Sequence, residues 1–194
     1  MPTLSLVVVA LNEEAGLPLA LASARPYVDE VVVGVDRRTR DGTREAAGEA
    51  RVVDLDFVDF SQMRNDALAH ATAEWILMLD ADETLEGDPR PLLALPPAIW
   101  ELPRHHWLDF AKTRPAPDEA SFPDWQGRLF PRDPKVRFER PVHEVVKGIR
   151  RKRTRDLVLH HFKYPLRSPE LREDRAALYE RLVAVGRAAG YRYR

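Results

Sequence analysis

"EWILMLDADET", residues 74–84, decides the fold. An apolar run carries the chain directly into three carboxylates, Asp80, Asp82 and Glu83. A continuous apolar run this short reads as a strand buried on both faces, and such strands belong to parallel sheets covered by helices. Working back toward the N-terminus, "LSLVVVA" (4–10), "EVVVGV" (30–35) and the shorter "RVVDLD" (51–56) have the same texture. Helical segments fall between them. "EAGLPLALASA" (14–24) is a short helix weakened by Gly16 and Pro18. "DGTREAAGEA" (41–50) offers Asp41 or Thr43 as its N-cap. "SQMRNDALAHA" (61–71) puts Met63, Ala67, Leu68 and Ala71 on one side, with Ser61 as cap. This β-α-β-α-β-α-β order predicts an α/β fold: right-handed crossovers and a mainly parallel central sheet with helices on both faces.

Beyond Asp82 the chain becomes proline-rich, and the apolar pieces shorten. "AIWELP" (98–103), "HHWLDFA" (105–111), "GRLFP" (127–131) and "DLVLHHF" (156–162) predict an antiparallel extension of the first sheet. If the last is a strand, His160 and His161 point to opposite faces, so at most one can serve a site. Ser168 and Pro169 open a C-terminal helix to about residue 188. Its stripe of Leu171, Leu178, Leu182 and Val185 is expected to dock on the body.

Composition excludes several classes. The 194 residues are 44% hydrophobic and 31% charged, as in a globular protein, and there is no cysteine for a disulfide or thiolate metal site. No apolar run approaches the roughly 18–20 residues that span a bilayer. "LSLVVVAL" is too short for a signal peptide and lacks a basic lead-in, which makes a cytoplasmic protein the expectation. The net charge of -1 conceals two unlike halves. Residues 1–100 hold 8 Lys+Arg against 18 Asp+Glu, whereas residues 101–194 hold 22 against 13. The densest basic run, "KGIRRKRTR" (147–155), is either a solvated hairpin or loop, or a contact for an anionic partner. No nucleic-acid-binding motif accompanies it, so nucleic acid is not an expected partner.

In an open parallel sheet, ligands bind beyond the carboxyl ends of the strands. Here those ends read "ALNEE" (10–14), "VDRRTRDGT" (35–43) and "LDADE" (79–83), and all three carry carboxylates. The structural alternatives are that Asn12 caps a helix and Asp36 closes an Asx turn. Asp-x-Asp suits Mg2+ or Mn2+, which take oxygen ligands and complete their shell with water and substrate phosphate. On a solvent-facing loop, Asp82→Asn would then weaken metal binding while sparing the fold.

"LSLVVVALNEEAGL", "VDEVVVGVDRRTRDGTREAA", "FSQMRNDALAHATAEWILMLDADE" and "DWQGRLFPRD…VHEVV" together resemble family 2 of the inverting glycosyltransferases. Within it they are most similar to the bacterial branch containing lipopolysaccharide-core β-glucosyltransferases. The resemblance runs from about residue 3 to about 162 and is most specific over 60–83. It implies a Rossmann-like GT-A fold over 1–165, with 1–83 as the nucleotide-sugar-binding half and 84–165 as the acceptor half. Residues 166–194 would be a C-terminal helix beside it. It also implies a nucleotide-sugar donor, a UDP-sugar first among them, and Mg2+ or Mn2+. Ala10, Leu11, Asn12, Glu13 and Asp36 would border the nucleoside. Arg64 and Asn65 would lie near the diphosphate, and Asp80 and Asp82 would form the acidic metal motif. Arg37 and Arg38 stand where the family often carries small or acidic side chains, and the family's usual Glu-Asp pair has no copy.

The reaction needs a carboxylate opposite the leaving diphosphate to take the acceptor's proton. Asp124 is the first choice, with Glu144 beside it, and His143 is a candidate third metal ligand. An anionic glycolipid or glycan acceptor, made in cell-envelope synthesis, would suit the basic half and allow peripheral contact with the inner membrane face. Two other readings stay open. "LDADET" also fits the opening of haloacid-dehalogenase-like phosphatases, with Asp80 as nucleophile and Asp82 as general acid/base. The chain could also be a non-catalytic nucleotide-sugar-binding module.

Overall fold

The computed structural model describes residues 2–193. Its first half contains β1 (Leu4–Ala10), α1 (Leu17–Ala24), β2 (Glu30–Asp36), α2 (Thr43–Ala46), β3 (Arg51–Leu55), α3 (Phe60–Leu68) and β4 (Trp75–Asp80). There follow β5 (Glu83–Glu86), α4 (Arg90–Leu93), β6 (Ile99–His106), β7 (Asp124–Pro131), β8 (Arg137–Glu139) and β9 (Val145–Lys147). The chain closes with β10 (Arg151–Arg153), β11 (Val158–His161), α5 (Lys163–Leu166) and α6 (Pro169–Ala188). Nine strands form one sheet in the order β3-β2-β1-β4-β7-β6-β11-β5, with β10 also paired to β6. The sheet runs unbroken across residue 83.

The four apolar runs become the parallel strands β3, β2, β1 and β4. Register divides their side chains between two cores. Leu6 lies beside Val31 and Leu77, and Val7 beside Val32 and Met78. Leu6, Val31 and Leu77 join Leu17 and Ala24 of α1 in one core. Val7, Val32 and Met78 join Met63 and Ala67 of α3 in the other. Each fully buried Leu or Val contributes about 1.5–3 kcal/mol. Covering both faces explains why β1, β2 and β4 read as continuous apolar runs, whereas β3, at the sheet edge, is mostly exposed.

Local chemistry shifts several expected boundaries. α1 starts at Leu17 because Gly16 takes the N-cap place and Pro18 the first turn, where a missing N–H costs nothing. α2 is a single turn rather than residues 41–50, and Gly42, not Asp41 or Thr43, stands at its N-cap. The Asp41 carboxylate instead accepts from Thr43 N at 3.1 Å. Asp59 rather than Ser61 caps α3, accepting from Gln62 N at 2.8 Å. The Ser61 hydroxyl donates to that same carboxylate.

The second half departs further. "AIWELP" and "HHW" are not two strands; β6 runs through both, and Trp107 only bridges to Pro115. The extension is mixed: β7 is antiparallel to β4 and β6, but β10 and β11 are parallel to β6. Ser168 does cap α6, accepting from Leu171 N. The expected docking stripe is only partly realised, because Leu182 and Gly186 are buried while Leu171 and Val185 are exposed. Among the described residues, no helix is long and apolar enough to cross a membrane.

Candidate active site

A cavity of about 940 Å³ opens over the carboxyl ends of β1, β2 and β4. Its far wall comes from β6, β7 and β11, and the segment from Lys163 to Tyr179 covers one side. The first strands thus deliver carboxylates and the second half delivers arginines to one place.

Asp80 ends β4 with both oxygens engaged: Arg64 Nη2 donates to Oδ1 at 2.5 Å and Arg128 Nη2 to Oδ2 at 2.6 Å. Arg64 also donates to Glu144 through Nε at 2.7 Å, tying β4 to the segment before β9. Arg128 reaches the fully buried Glu83 at 3.0 Å, and Arg104 connects Glu83 to Asp124 at 2.8 Å each. Asp82 is held by Arg167 at 2.7 Å, and that guanidinium also donates to Glu13 at 2.8 Å. Arg175, from α6, adds a second bond to Glu13 at 2.6 Å. Asp82 is therefore buried and ion-paired, not on a solvent-facing loop, and replacing it will cost stability.

Burial alone would raise the carboxyl pKa values, but the partners outweigh it. Arg128 and Arg64 hold Asp80 well below the usual carboxylate range, and His161 with Arg167 does the same for Asp82. Asp124 is likewise held low, against its burial, by His106 and Arg104. Glu13 moves the other way, because burial outweighs Arg167.

Four groups form a chain across the floor. Asp124 Oδ2 lies 3.2 Å from His106 Nε2, His106 Nδ1 lies 2.9 Å from His161 Nδ1, and His161 Nε2 lies 3.0 Å from Asp82 Oδ2. Pairing in register explains it: His106 sits beside His161, and His105 beside His160. His161 turns into the cavity, while His160 turns away to accept from Trp107 Nε1 at 3.0 Å.

Among the described residues, no group of three or more His, Asp or Glu side chains converges on a ready-made metal position. Asp82 and His161 offer two ligand atoms, with the other nitrogen of His161 oriented by His106 as metal-bound imidazoles usually are. Mg2+ and Mn2+ at nucleotide sites commonly take few protein ligands and substrate oxygens for the rest. The residues present fit such an ion.

Ala10, Leu11, Glu13, Asp36, Arg64, Asp80, Asp82, Asp124, His143 and Glu144 all border the cavity. Asn12 does not cap a helix; it has φ 54 and accepts from Arg40 N at 2.9 Å, joining the loops after β1 and β2. Asn65 does not reach the cavity wall. Its amide makes paired bonds with the Phe138 backbone, 2.9 and 2.8 Å, and so clamps β8 to α3. His143, at φ 51, packs near the rings of Tyr179 and Tyr193 and is not brought to Asp82; His161 occupies that place. Asp36 does close an Asx turn, accepting from Arg38 N at 2.9 Å. Arg104, Arg128, Arg167, Arg175 and His106 carry no local signature in the sequence. Only spatial pairing marks them out.

The basic run is structured. Arg151 and Arg153 pair with Glu101 at 3.1 Å, Lys152 lies over Trp100, and Arg153 and Arg155 lie over Trp125 at the cavity rim. Cationic side chains there also guard the free edge of β10.

Residues 5–94 match the family described as Glycosyl transferase family 2. A TPR repeat-containing protein of Synechococcus elongatus is 38% identical over 150 residues, covering 75% of this chain and 36% of that protein. The chain thus spans about a third of the length of this curated relative. A solved mycobacterial protein superposes with a TM-score of 0.57 at 18% identity, covering 82% of this chain and 67% of its own. Glucosyl-3-phosphoglycerate synthase from Mycobacterium tuberculosis, solved with Mn2+, UDP and phosphoglyceric acid, gives a TM-score of 0.44. The identity there is 24%, over 54% of this chain and 43% of that one. With acidic motif, strand order and family match in agreement, residues 5–94 resemble a glycosyl transferase family 2 domain, and the sheet they begin has the GT-A arrangement.

Proposed function

We propose that the chain is a metal-assisted, inverting glycosyltransferase acting on a nucleoside-diphosphate sugar. The observation that carries this is the arginine cluster. Arg64, Arg128 and Arg167 crowd the Asp80–Asp82 motif, and all three line the cavity. Guanidinium groups gathered at one cavity wall suit a diphosphate, which is rich in anionic acceptors. Six carboxylates (Glu13, Asp80, Asp82, Glu83, Asp124, Glu144) face five arginines here. A further anion therefore calls for a further cation, which Asp82 and His161 would hold as Mg2+ or Mn2+. When bound, that cation neutralises charge on the departing diphosphate.

Arg64 and Arg167 orient the diphosphate oxygens and stabilise the charge that grows on them. Asp124, kept ionised, accepts the proton of the acceptor hydroxyl, and one displacement inverts the anomeric carbon. Glu144 positions Arg64. The half 1–83 binds the donor, for which the resemblance implies a UDP-sugar, and 84–165 binds the acceptor. An anionic glycan or glycolipid of cell-envelope or lipopolysaccharide type suits Arg151, Arg153 and Arg155 beside Trp125. Such an acceptor would place the protein on the cytoplasmic side, in peripheral contact with the membrane.

Arg64 and Arg128 each donate to one oxygen of Asp80, and the positive charge they hold against it lowers its nucleophilicity toward a phosphoryl group. One observation favours a binding module: neither Asp124 nor Glu144 is unpaired. The test is thermal shift of the full chain with nucleotides, with and without Mn2+, followed by sugar transfer to anionic glycolipids. Mn2+-dependent stabilisation with turnover supports the transferase. Stabilisation without turnover supports the module, and no nucleotide response overturns both.

A further inference from the structure

The same cavity has a second polar pair that the chemistry above does not use. Asp36 and Arg38 line it at the carboxyl end of β2, with Phe57 and Phe60 alongside. Strands in a sheet lie about 4.8 Å apart, and β2 is two strands from β4, so this pair stands about 10 Å from the diphosphate site. A ribose and one phosphate bridge that distance. The parallel-strand end of the cavity, with its aromatic wall, is thus where the base of a bound nucleotide falls, while Trp125 and Arg151 line the opposite, antiparallel side.

Asp36 itself has little left to offer a base. Its side chain is 1% exposed, and Arg38 fills it: N and Nε donate to Oδ1 at 2.9 Å each, Nε to Oδ2 at 3.1 Å, and Nη2 to Oδ2 at 2.5 Å. A carboxylate has about four lone-pair positions; three N–H groups engage them, with Nε shared between both oxygens, and burial closes off the rest. The Arg38 side chain remains 55% exposed, with its guanidinium carbon 4.8 Å from the Phe57 ring centroid. Phe57 is fixed in turn by an edge contact to Phe60 at 5.2 Å. Arg37 turns to Asp56 instead, at 3.3 Å. The group presented to a base is therefore a guanidinium, which donates and cannot accept.

We propose that Arg38, backed by Asp36 and seated on Phe57, reads the donor's base and selects guanine over uracil; this rests on the nucleotide-sugar reading of the site. Guanine presents two adjacent acceptors, O6 and N7, which match a guanidinium in bidentate fashion. Uracil places an N–H between its two oxygens and needs an acceptor that Asp36 can supply only by releasing Arg38. Guanine would thus stand where the resemblance implies uracil. A good bidentate pair discriminates by roughly tenfold to a hundredfold.

Isothermal titration of the full chain in Mn2+ with GDP, UDP and pyrophosphate tests this. The expected result is GDP binding at least about tenfold tighter than UDP. Arg38→Ala should collapse that ratio while leaving pyrophosphate affinity unchanged, and Arg38→Lys should restore it poorly, since an ammonium lacks the planar fork. UDP binding as tightly as GDP overturns the inference, as does a ratio unchanged in Arg38→Ala, which would make the pair a turn clamp only. Those outcomes leave the transferase reading standing, because pyrophosphate and UDP still bind. Failure of all three ligands to bind overturns that reading and this inference together.

Discussion

Asp80 and Asp82 are one residue apart and have different tasks. Asp80 is the anionic centre of a buried pair of arginines, whereas Asp82 Oδ2 is shared between Arg167 and His161. Removing one partner from a buried ion pair leaves uncompensated charge, which costs about 3–5 kcal/mol. Asp80→Asn is therefore expected to lower the urea-unfolding free energy by about that amount; a loss under about 1 kcal/mol would show that Arg64 and Arg128 find other partners. Asn65 gives the complementary case. Asn65→Ala deletes both bonds to the Phe138 backbone and should cost about 1–3 kcal/mol while leaving nucleotide affinity unchanged. A large fall in affinity at unchanged stability would return Asn65 to the donor site.

Elements set how closely those residues can approach. α3 carries Arg64 into the cavity only because it packs tightly on β2, and Gly34 is what permits this. A methyl group there would lie 2.7 Å from Leu55 Cδ1 and 3.1 Å from the Ala67 Cβ. The leucine end can yield, but the helix must shift to release Ala67. Overpacking of this kind costs about 1–3 kcal/mol, so Gly34→Ala should lower the thermal midpoint and misplace Arg64. Unchanged melting and unchanged Mn2+-dependent nucleotide binding would show that α3 tolerates the displacement. α6 works differently. Its contribution to the site comes through Arg175, with Arg167 just before its cap, rather than through an apolar stripe.

At the scale of the whole molecule, charge is concentrated inside. Asp80, Asp82 and Asp124 are each held below the ordinary aspartate value of about 3.9. Their stabilising contribution is full above the unfolded pKa and disappears as pH falls through the folded values. Glu13, raised by burial, acts in the opposite sense as pH climbs past its unfolded value. Three groups against one predict a steep, multi-proton loss of stability below about pH 4. Denaturant titrations from pH 7 to 3 check this, and a flat profile would contradict the buried network. The outer surface has its own test. If the β10 run meets an anionic membrane, vesicle co-sedimentation should fade as the Debye length shrinks from about 10 Å at 0.1 M salt to about 3 Å at 1 M. It should also be lost in the Arg150→Ala, Arg151→Ala, Arg153→Ala variant. Equal sedimentation on neutral vesicles would leave the run as edge protection alone.

The parallel strands and the acidic motif were legible in the sequence because their signals are local. A strand covered on both faces must be apolar at every position, so 4–10, 30–35 and 74–80 announce themselves within seven residues each. Caps were less legible, since Asp59 and Ser61 are both competent and only backbone geometry chose between them. The ion pairs that build the site were not legible at all. Arg128 meets Asp80 across 48 residues, Arg64 meets Glu144 across 80, and Arg167 meets Glu13 across 154. A guanidinium reveals nothing in its neighbours about the carboxylate it will find. The sequence by itself thus determined the central sheet, the strand ends and the acidic motif. The tertiary structure decided which arginines and which histidine surround that motif, because only folding brings separated charges within reach and excludes the water that would otherwise screen them.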